Sequence, residues 1–438
     1  MTASASLLAY YGDDLTGSTD VMEALSTRGI STVLFTDIPH PALAARFAGR
    51  KAVGIAGSSR SETPDWMDAH LPDIFAWMKA TGAALCHYKV CSTFDSAPEV
   101  GSIGRAIDIG ARVFGQAMTP LVVGAPELKR YTAFGHLFAH FGPDFFRIDR
   151  HPVMSRHPVT PMDEADLRLH LARQTEKSIG LVDFVKLKRL LLPEDLTGLL
   201  GDHGIVLFDV LDEETKAEVG RHLWSLRETS PFVAGSSGVE YALVAPGSGT
   251  PLAGGSADYP APGSRGPIAV ASGSCSATTE RQIRAATADG FEGIALSGRS
   301  LMEGDEAAIA AALDAASRAL EMGRSPLVYT ALGVPDSGVD EGGHGIGRGL
   351  GRILAELVRR HGLGRVVVAG GDTSSHAMRE LDIQALELLV PLPDCPGSPL
   401  CIGHRGGNGN GNGNGLLEVA FKGGQVGTDD YFRIVRDI

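Results

Sequence analysis

Short apolar runs, several ending in glycine, recur along the chain and alternate with stretches of helical spacing. "SLLAYYG" (6–12), "STVLFT" (31–36), "AVGIAG" (52–57), "PLVVGA" (120–125) and "GIVLFDV" (204–210) are rich in β-branched or other apolar residues and predict buried strands. Between them "TDVMEALSTRG" (19–29) has helical spacing and a Gly stop, and "PMDEADLRLHLARQT" (161–175) predicts an amphipathic helix, with Pro at its start and acids in its first turn. Such alternation predicts parallel βαβ units. The pattern lapses over "APGSGTPLAGGSADYPAPGSRGP" (245–267), which has no apolar periodicity and reads as a linker. It then restarts with "PIAVASG" (267–273), "GIALSG" (293–298), "PLVYTAL" (326–332) and "RVVVAGG" (365–371). Helices are expected near 277–289, 305–322, 346–361 and 374–381. The fold class is therefore α/β: two α/β domains with mainly parallel sheets, residues 1–244 and 262–438, separated by a Pro/Gly/Ser-rich linker. "GGNGNGNGNG" (406–415) reads as a loop, because alternating Gly cannot bury a core.

Length agrees with two domains, since 438 residues exceed what one hydrophobic core usually serves. A net charge of −13 argues against nucleic acid and against an anionic membrane surface as partners. Cys86, Cys91, Cys275, Cys395 and Cys401 form no CxxC pair and have no zinc spacing, so they read as reduced thiols. No apolar run approaches the roughly 20 residues of a membrane span, and the first residues lack the basic and apolar regions of a signal peptide. A cytoplasmic protein is the expectation.

Ligands of open parallel sheets gather at the carboxyl ends of strands, which directs attention to the loops that follow them. "GDDLTGSTD" (12–20) places Asp13 and Asp14 side by side after the first strand. Ser18, Thr19 and Asp20 offer N-caps to the next helix, which would free the aspartates to accept hydrogen bonds from sugar hydroxyls or remove a proton from an alcohol. A polar turn with a cap is the competing reading. "GSSR" (57–60) brings Ser59 and Arg60, Arg being a natural fork for a carboxylate. "HYKVCSTFDS" (87–96) packs Lys89, Ser92, Thr93 and Asp95 into a few residues.

The second half repeats one device. "ASGSCSATTERQI" (271–283), "VVVAGGDTSSHAM" (366–378) and "FKGGQVGTDDYF" (421–432) each bring small residues to a strand end or helix start, as a phosphate cradle requires. Three such loops in one domain favour a nucleotide. No GxxxxGK[ST] occurs, and "GGHGIGRGLG" (342–351) neither follows a strand nor satisfies GxGxxG, which disfavours a Walker P-loop and a Rossmann dehydrogenase. His344 and Arg348 could still reach a phosphate. "FRIDRHPVMSRHPVTPMDEADL" (146–167) concentrates Arg147, Arg150, Arg156, His151 and His157, either as solvated loop charge or as an anion site.

Taken in order, "GDDLTGSTD", "RHPVTPM", "SGSCS", "GGDTS" and "FKGGQVG" resemble the four-carbon acid-sugar kinase family along almost the whole chain. The resemblance implies an N-terminal domain for an acid sugar, a C-terminal domain for ATP, and an active site in the interdomain cleft. It also implies that Ser272, Ser274, Gly370, Gly371, Asp372, Thr373, Ser374, Gly423 and Gly424 touch the nucleotide. Phosphate would pass to a terminal hydroxyl of a 3-oxo-tetronate, threonate or erythronate, with Mg²⁺ assisting. Asp13, Asp14, Arg60 and Lys89 would face the sugar acid, joined as binding candidates by Ser59, Ser92, Thr93, Asp95, Arg150 and His157. Asp13 or Asp14 is the first choice of base, and Asp372 the runner-up or a Mg²⁺ partner; the metal ligands stay open. Many similar members carry Lys-x-Asp-Ser-Thr-x-Arg-Gly where this chain has Lys89-Val90-Cys91-Ser92-Thr93-Phe94-Asp95-Ser96. Asp95 in place of an Arg would repel an anion and welcome a hydroxyl, which suggests a branched acid such as 3-oxo-isoapionate. An NAD-dependent sugar-acid dehydrogenase and a non-catalytic sugar-acid-binding protein are the alternatives, and a homodimer is possible.

Overall fold

The computed structural model describes residues 6–189, 198, 200–333, 343–406 and 415–438, with the side chains of residues 343, 344 and 372 outside the described set. Most of the Gly/Asn repeat and the expected contacts of His344 therefore lie outside it, as does the Asp372 carboxylate. The chain divides into two compact units, one of residues 1–33 and 38–257, the other of residues 34–37 and 258–438.

Strands of the first unit are β1 (Leu8–Gly12), β2 (Thr32–Phe35, shared with the second unit), β3 (Ala52–Ala56), β4 (Leu85–Lys89), β5 (Thr119–Val122), β6 (Arg130–Ala133), β7 (His136–Phe141), β8 (Asp144–Arg147), β9 (Ile179–Val182), β10 (Ile205–Phe208) and β11 (Phe232–Gly235). Its main sheet runs β3-β1-β4-β11-β5-β10-β9, parallel throughout. Every residue of β1, β4, β5, β10 and β11 is buried, which explains why they read as unbroken apolar runs rather than alternating ones. In β1 the register sets Gly12 opposite Ala56 of β3 and Lys89 of β4, so three strand ends lie side by side. Strands β6, β7 and β8 form a separate antiparallel sheet, which the sequence patterning did not reveal.

The expected helix over 161–175 is confined to Leu167–Leu171. Asp166 caps it by accepting from the Arg168 N–H. The preceding residues are drawn off by tertiary pairing: Met162 N–H donates to Met154 O, and His136 bridges Asp166. Similarly, residues 245–253 are more than a linker, because Thr250 Oγ1 donates to Leu243 O and Leu252 is buried.

The second unit contains β12 (Ala269–Ser272), β13 (Glu292–Ala295), β14 (Pro326–Tyr329), β15 (Arg365–Ala369), β16 (Ile383–Val390), β17 (Leu400–Arg405) and β18 (Leu416–Lys422), ordered β13-β14-β12-β15-β18-β17-β16. The first five in that order are parallel; β17 and β16 extend the sheet antiparallel. Leu34 and Phe35 of β2 pair with Leu386 and Ala385 of β16. Its apolar core includes Val270, Ile283, Leu327, Val367, Ala420, Tyr431 and Phe432. Ser272, Ala369 and Lys422 stand in one register row, which again brings three strand ends together.

Candidate active site

The helix Leu15–Ser26 begins immediately after β1, and its N-cap is Asp14, whose Oδ1 accepts from the Gly17 N–H at 2.6 Å. This corrects the expectation that Ser18, Thr19 and Asp20 do the capping. All three are buried inside the helix; Ser18 and Thr19 hydroxyls donate back to the carbonyls of Asp14 and Thr16, as such residues do in a first turn. Asp13 is left as the carboxylate with no backbone duty.

Backbone bonds stitch the loops together: Asp13 N–H donates to Lys89 O, Arg60 N–H to Asp13 O, and Gly57 N–H to Gly12 O. Arg60 then places its guanidinium between two acids, with NH1 2.9 Å from Asp14 Oδ2 and NH2 2.8 Å from Asp95 Oδ2. Asp95 also accepts from Thr93 Oγ1 and from Thr160 Oγ1. Its side chain has 0% exposure, so protein donors occupy it. Lys89 is buried as well; its Nζ lies so close over Gly17 that a Cβ there would come within 2.1 Å of it.

These surroundings drive two neighbouring carboxylates apart. Burial, followed by the charge of Asp14, pushes the Asp13 carboxyl up to about 7, and its Oδ1 has no hydrogen-bond partner among the described residues. Burial also works to raise Asp14, yet Arg60, Lys89 and the Gly17 N–H outweigh it and hold Asp14 below the ordinary carboxylate range. For Asp95, burial is outweighed by Arg60 and the Thr93 hydroxyl, which bring it down to about 2. Burial works to lower Lys89, but the charges of Asp14, Asp13 and Asp20 outweigh it and hold the ammonium above its usual value. A carboxylate near 7 beside fixed cations is what a general base for an alcohol needs at neutral pH.

Of the remaining candidates in this unit, Ser59 is buried against the Tyr88 hydroxyl at 3.4 Å, below the Arg60 turn. Ser92 is half-buried next to Thr93. His157 joins the cluster indirectly, because its Nδ1 meets Thr160 N–H and Oγ1, both at 3.1 Å. Arg150 does not join: it is exposed on the turn Ile148–Arg150, and among the described residues no hydrogen bond or ion pair links it to the Asp13 cluster.

In the second unit the loops after β12, β15 and β18 converge. Gly273 N–H donates to Ala369 O and Gly370 N–H to Lys422 O. Gly370 has φ +120° and precedes the helix Gly371–Glu380; a Cβ on it would lie 2.8 Å from Thr373 Oγ1. Ser374 Oγ donates to Gly370 O at 2.6 Å. Among the described residues Ser272 Oγ is buried without a partner, and Gly424 approaches Ser274 so closely that a Cβ would sit 3.0 Å from its Oγ. Small hydroxyl residues and glycines thus line a convergence of helix starts, an arrangement suited to phosphate oxygens.

Residues 8–243 match the family model of a sugar-binding N-terminal domain, and residues 269–432 that of a nucleotide-binding C-terminal domain. The chain belongs to the family that joins these two domains. It is 47% identical to a 3-oxo-isoapionate kinase of Paraburkholderia graminis, over 98% of this chain and 94% of that one. It is 32% identical to a 3-oxo-tetronate kinase of Methylobacterium radiotolerans, over 87% and 89%. The crystal structure of the Haemophilus influenzae protein HI1011 shares the fold, with a TM-score of 0.71 at 22% identity over 98% of each chain. The resemblance to the four-carbon acid-sugar kinases is borne out.

Within this sugar-binding and nucleotide-binding family chain, three residues of the two clusters escaped sequence reasoning. Thr160 lies inside "RHPVTPM" and Lys422 inside "FKGGQVG", but neither was singled out. Asp20 suits a cap by residue type, whereas it is buried, accepts from the Tyr241 hydroxyl and helps to hold Lys89 charged. A usable signal existed for Lys422: like Lys89 in "LCHYK", it is the cation that closes an apolar strand just before a polar or glycine-rich turn.

Proposed function

We propose that this protein is an ATP-dependent kinase that phosphorylates the terminal hydroxyl of a small 3-oxo sugar acid, with 3-oxo-isoapionate the first candidate and 3-oxo-tetronate the second. The observation that carries the reading is Asp13, a buried carboxylate near pKa 7 under the opposing charges of Asp14, Lys89 and Arg60, with one oxygen free of partners among the described residues. The relative named a 3-oxo-isoapionate kinase, aligned over almost the whole chain, supports the substrate class.

Phosphoryl transfer asks a protein chiefly for positioning and charge neutralisation, plus a group that orients the attacking hydroxyl. In this reading Asp13 accepts the hydroxyl proton as attack proceeds. Asp14 stays ionised and does not compete for it. Lys89 and the outer edge of Arg60 face the acid group of the substrate, while Asp95 acts through Arg60 by fixing how the guanidinium is turned. On the nucleotide side, the turns at Gly273–Ser276, Gly370–Ser374 and Gly423–Gln425 would hold phosphate oxygens. No group of three or more His, Cys, Asp or Glu suited to a metal occurs among the described residues. Mg²⁺ needs few protein ligands when it arrives on a nucleotide; bound there, it would neutralise phosphate charge.

The test is ATP consumption by the purified protein against a panel of branched five-carbon and linear four-carbon 3-oxo sugar acids. Turnover on at least one is expected. A nicotinamide signal on titration, with no ATP turnover on any of them, would sink the kinase reading in favour of a dehydrogenase.

A further inference from the structure

Lys422 ends β18 with a side chain of 0% exposure. Its Nζ donates to Gly423 O at 2.7 Å, Thr279 Oγ1 at 3.2 Å and Gly424 O at 3.4 Å. Among the described residues it makes no ion pair; besides these neutral oxygens the ammonium faces the Tyr431 ring, 5.9 Å from its centroid. Burial brings it down to about 8, the mark of a charge kept indoors at a cost. Gly424 O is a meeting point in its own right, accepting from Thr279 Oγ1 at 3.0 Å and from Ser276 Oγ in addition to Lys422.

In a trans peptide the C=O and the following N–H point in opposite directions, and the described chain contains no cis bonds. Anchoring the carbonyls of Gly423 and Gly424 inward therefore turns the N–H groups of Gly424 and Gln425 outward. Neither has a backbone or side-chain acceptor among the described residues. Gly424 stands beside Ser274, and the turn that carries both N–H groups is closed by Val426 N–H donating to Gly423 O, a conformation able to serve as a small anion nest.

Building on the kinase reading, we propose that Lys422 is a positioning residue for nucleotide phosphate: it anchors the Gly423 and Gly424 carbonyls so that two consecutive N–H groups stay aimed at a phosphate oxygen, without touching that phosphate itself. An ammonium that only filled space would affect stability. One that aims donors affects nucleotide affinity and leaves the sugar side alone.

The experiment compares wild type, Lys422→Met and Thr279→Val, measuring melting temperature with and without Mg·ADP, and KM for ATP and for the sugar acid. Lys422→Met should fold, and its KM for ATP should rise about tenfold, the worth of roughly one hydrogen bond to a charged group. Its KM for the sugar acid should stay within about twofold. Thr279→Val removes a second anchor of the same carbonyl and should move KM for ATP the same way, by less. An unchanged KM for ATP in Lys422→Met overturns the proposal; if that variant does not fold, an unchanged KM in Thr279→Val overturns it. Wild type that neither binds Mg·ADP nor consumes ATP would overturn the kinase reading and this inference with it.

Discussion

Asp13 and Asp14 share a peptide bond and have opposite fates: Asp14 caps a helix and pairs with Arg60 at 2.9 Å, while Asp13 is buried with Oδ1 free of partners among the described residues and its carboxyl pushed up to about 7. The division follows from backbone geometry. Only Asp14 stands in the extended N-cap conformation from which a side chain reaches back to the Gly17 N–H.

If Asp13 is the base, kcat/KM should rise with pH along a limb centred near 7, and Asp13→Asn should abolish that limb while lowering kcat by ~10²–10⁴. Stability gives a separate reading. Folded Asp13 keeps its proton to about pH 7, whereas the unfolded chain releases it near 3.8. Its contribution is therefore fullest below about 3.8 and lost as pH rises through 7. Asp13→Asn should raise the melting temperature at pH 8 and leave it nearly unchanged at pH 4, which differential scanning fluorimetry would check.

Asp95 has the opposite sign. Its folded value of about 2 lies below the ordinary 3.8, so its stabilisation is present above 3.8 and disappears as pH falls through 2. At pH 7 Asp95→Asn should cost about 2 kcal/mol in denaturant unfolding. It should also change the ratio of kcat/KM between branched and linear 3-oxo acids, because it releases one side of Arg60.

Arg60→Met leaves two carboxylates without their cation. Removing positive charge beside Asp13 raises its pKa further, so the acid limb of the pH profile should move above 7. A limb that stays in place would show that Arg60 does not tune the base.

Gly17→Ala sets a methyl 2.1 Å from Lys89 Nζ and 2.6 Å from Asp14 Oδ1. Circular dichroism should show the helix retained, since Ala suits helices better than Gly. KM for the sugar acid should rise and the Mg·ADP response persist.

Much of this architecture is legible in the amino-acid sequence. Apolar runs revealed the parallel strands because burial on both faces removes the polar alternation of a half-exposed sheet. The polar loops after them carried Asp13, Arg60, Lys89 and Asp95. What stayed hidden were relationships across the chain. Spacing could not show that Asp14, rather than Ser18, Thr19 or Asp20, takes the cap, because all four suit that role. Nor could it tell Arg150, exposed on its turn, from His157, drawn in by Thr160. The antiparallel strands β6, β7 and β8 were lost in half-exposed sequence such as "HLFAHF", whose burial alternates but whose residues do not.

Thr160 carries a consequence for the order in which the molecule is made. The contacts of the Asp13 cluster join residues 35, 46 and 65 positions apart, the last being Thr160 with Asp95. Helices and turns forming early during synthesis cannot provide any of them, since long loops must close first. A nascent or truncated chain that ends before residue 160 would lack the Thr160 bond to Asp95 however well its earlier strands had paired, so the cluster is complete only once the polypeptide has passed that point.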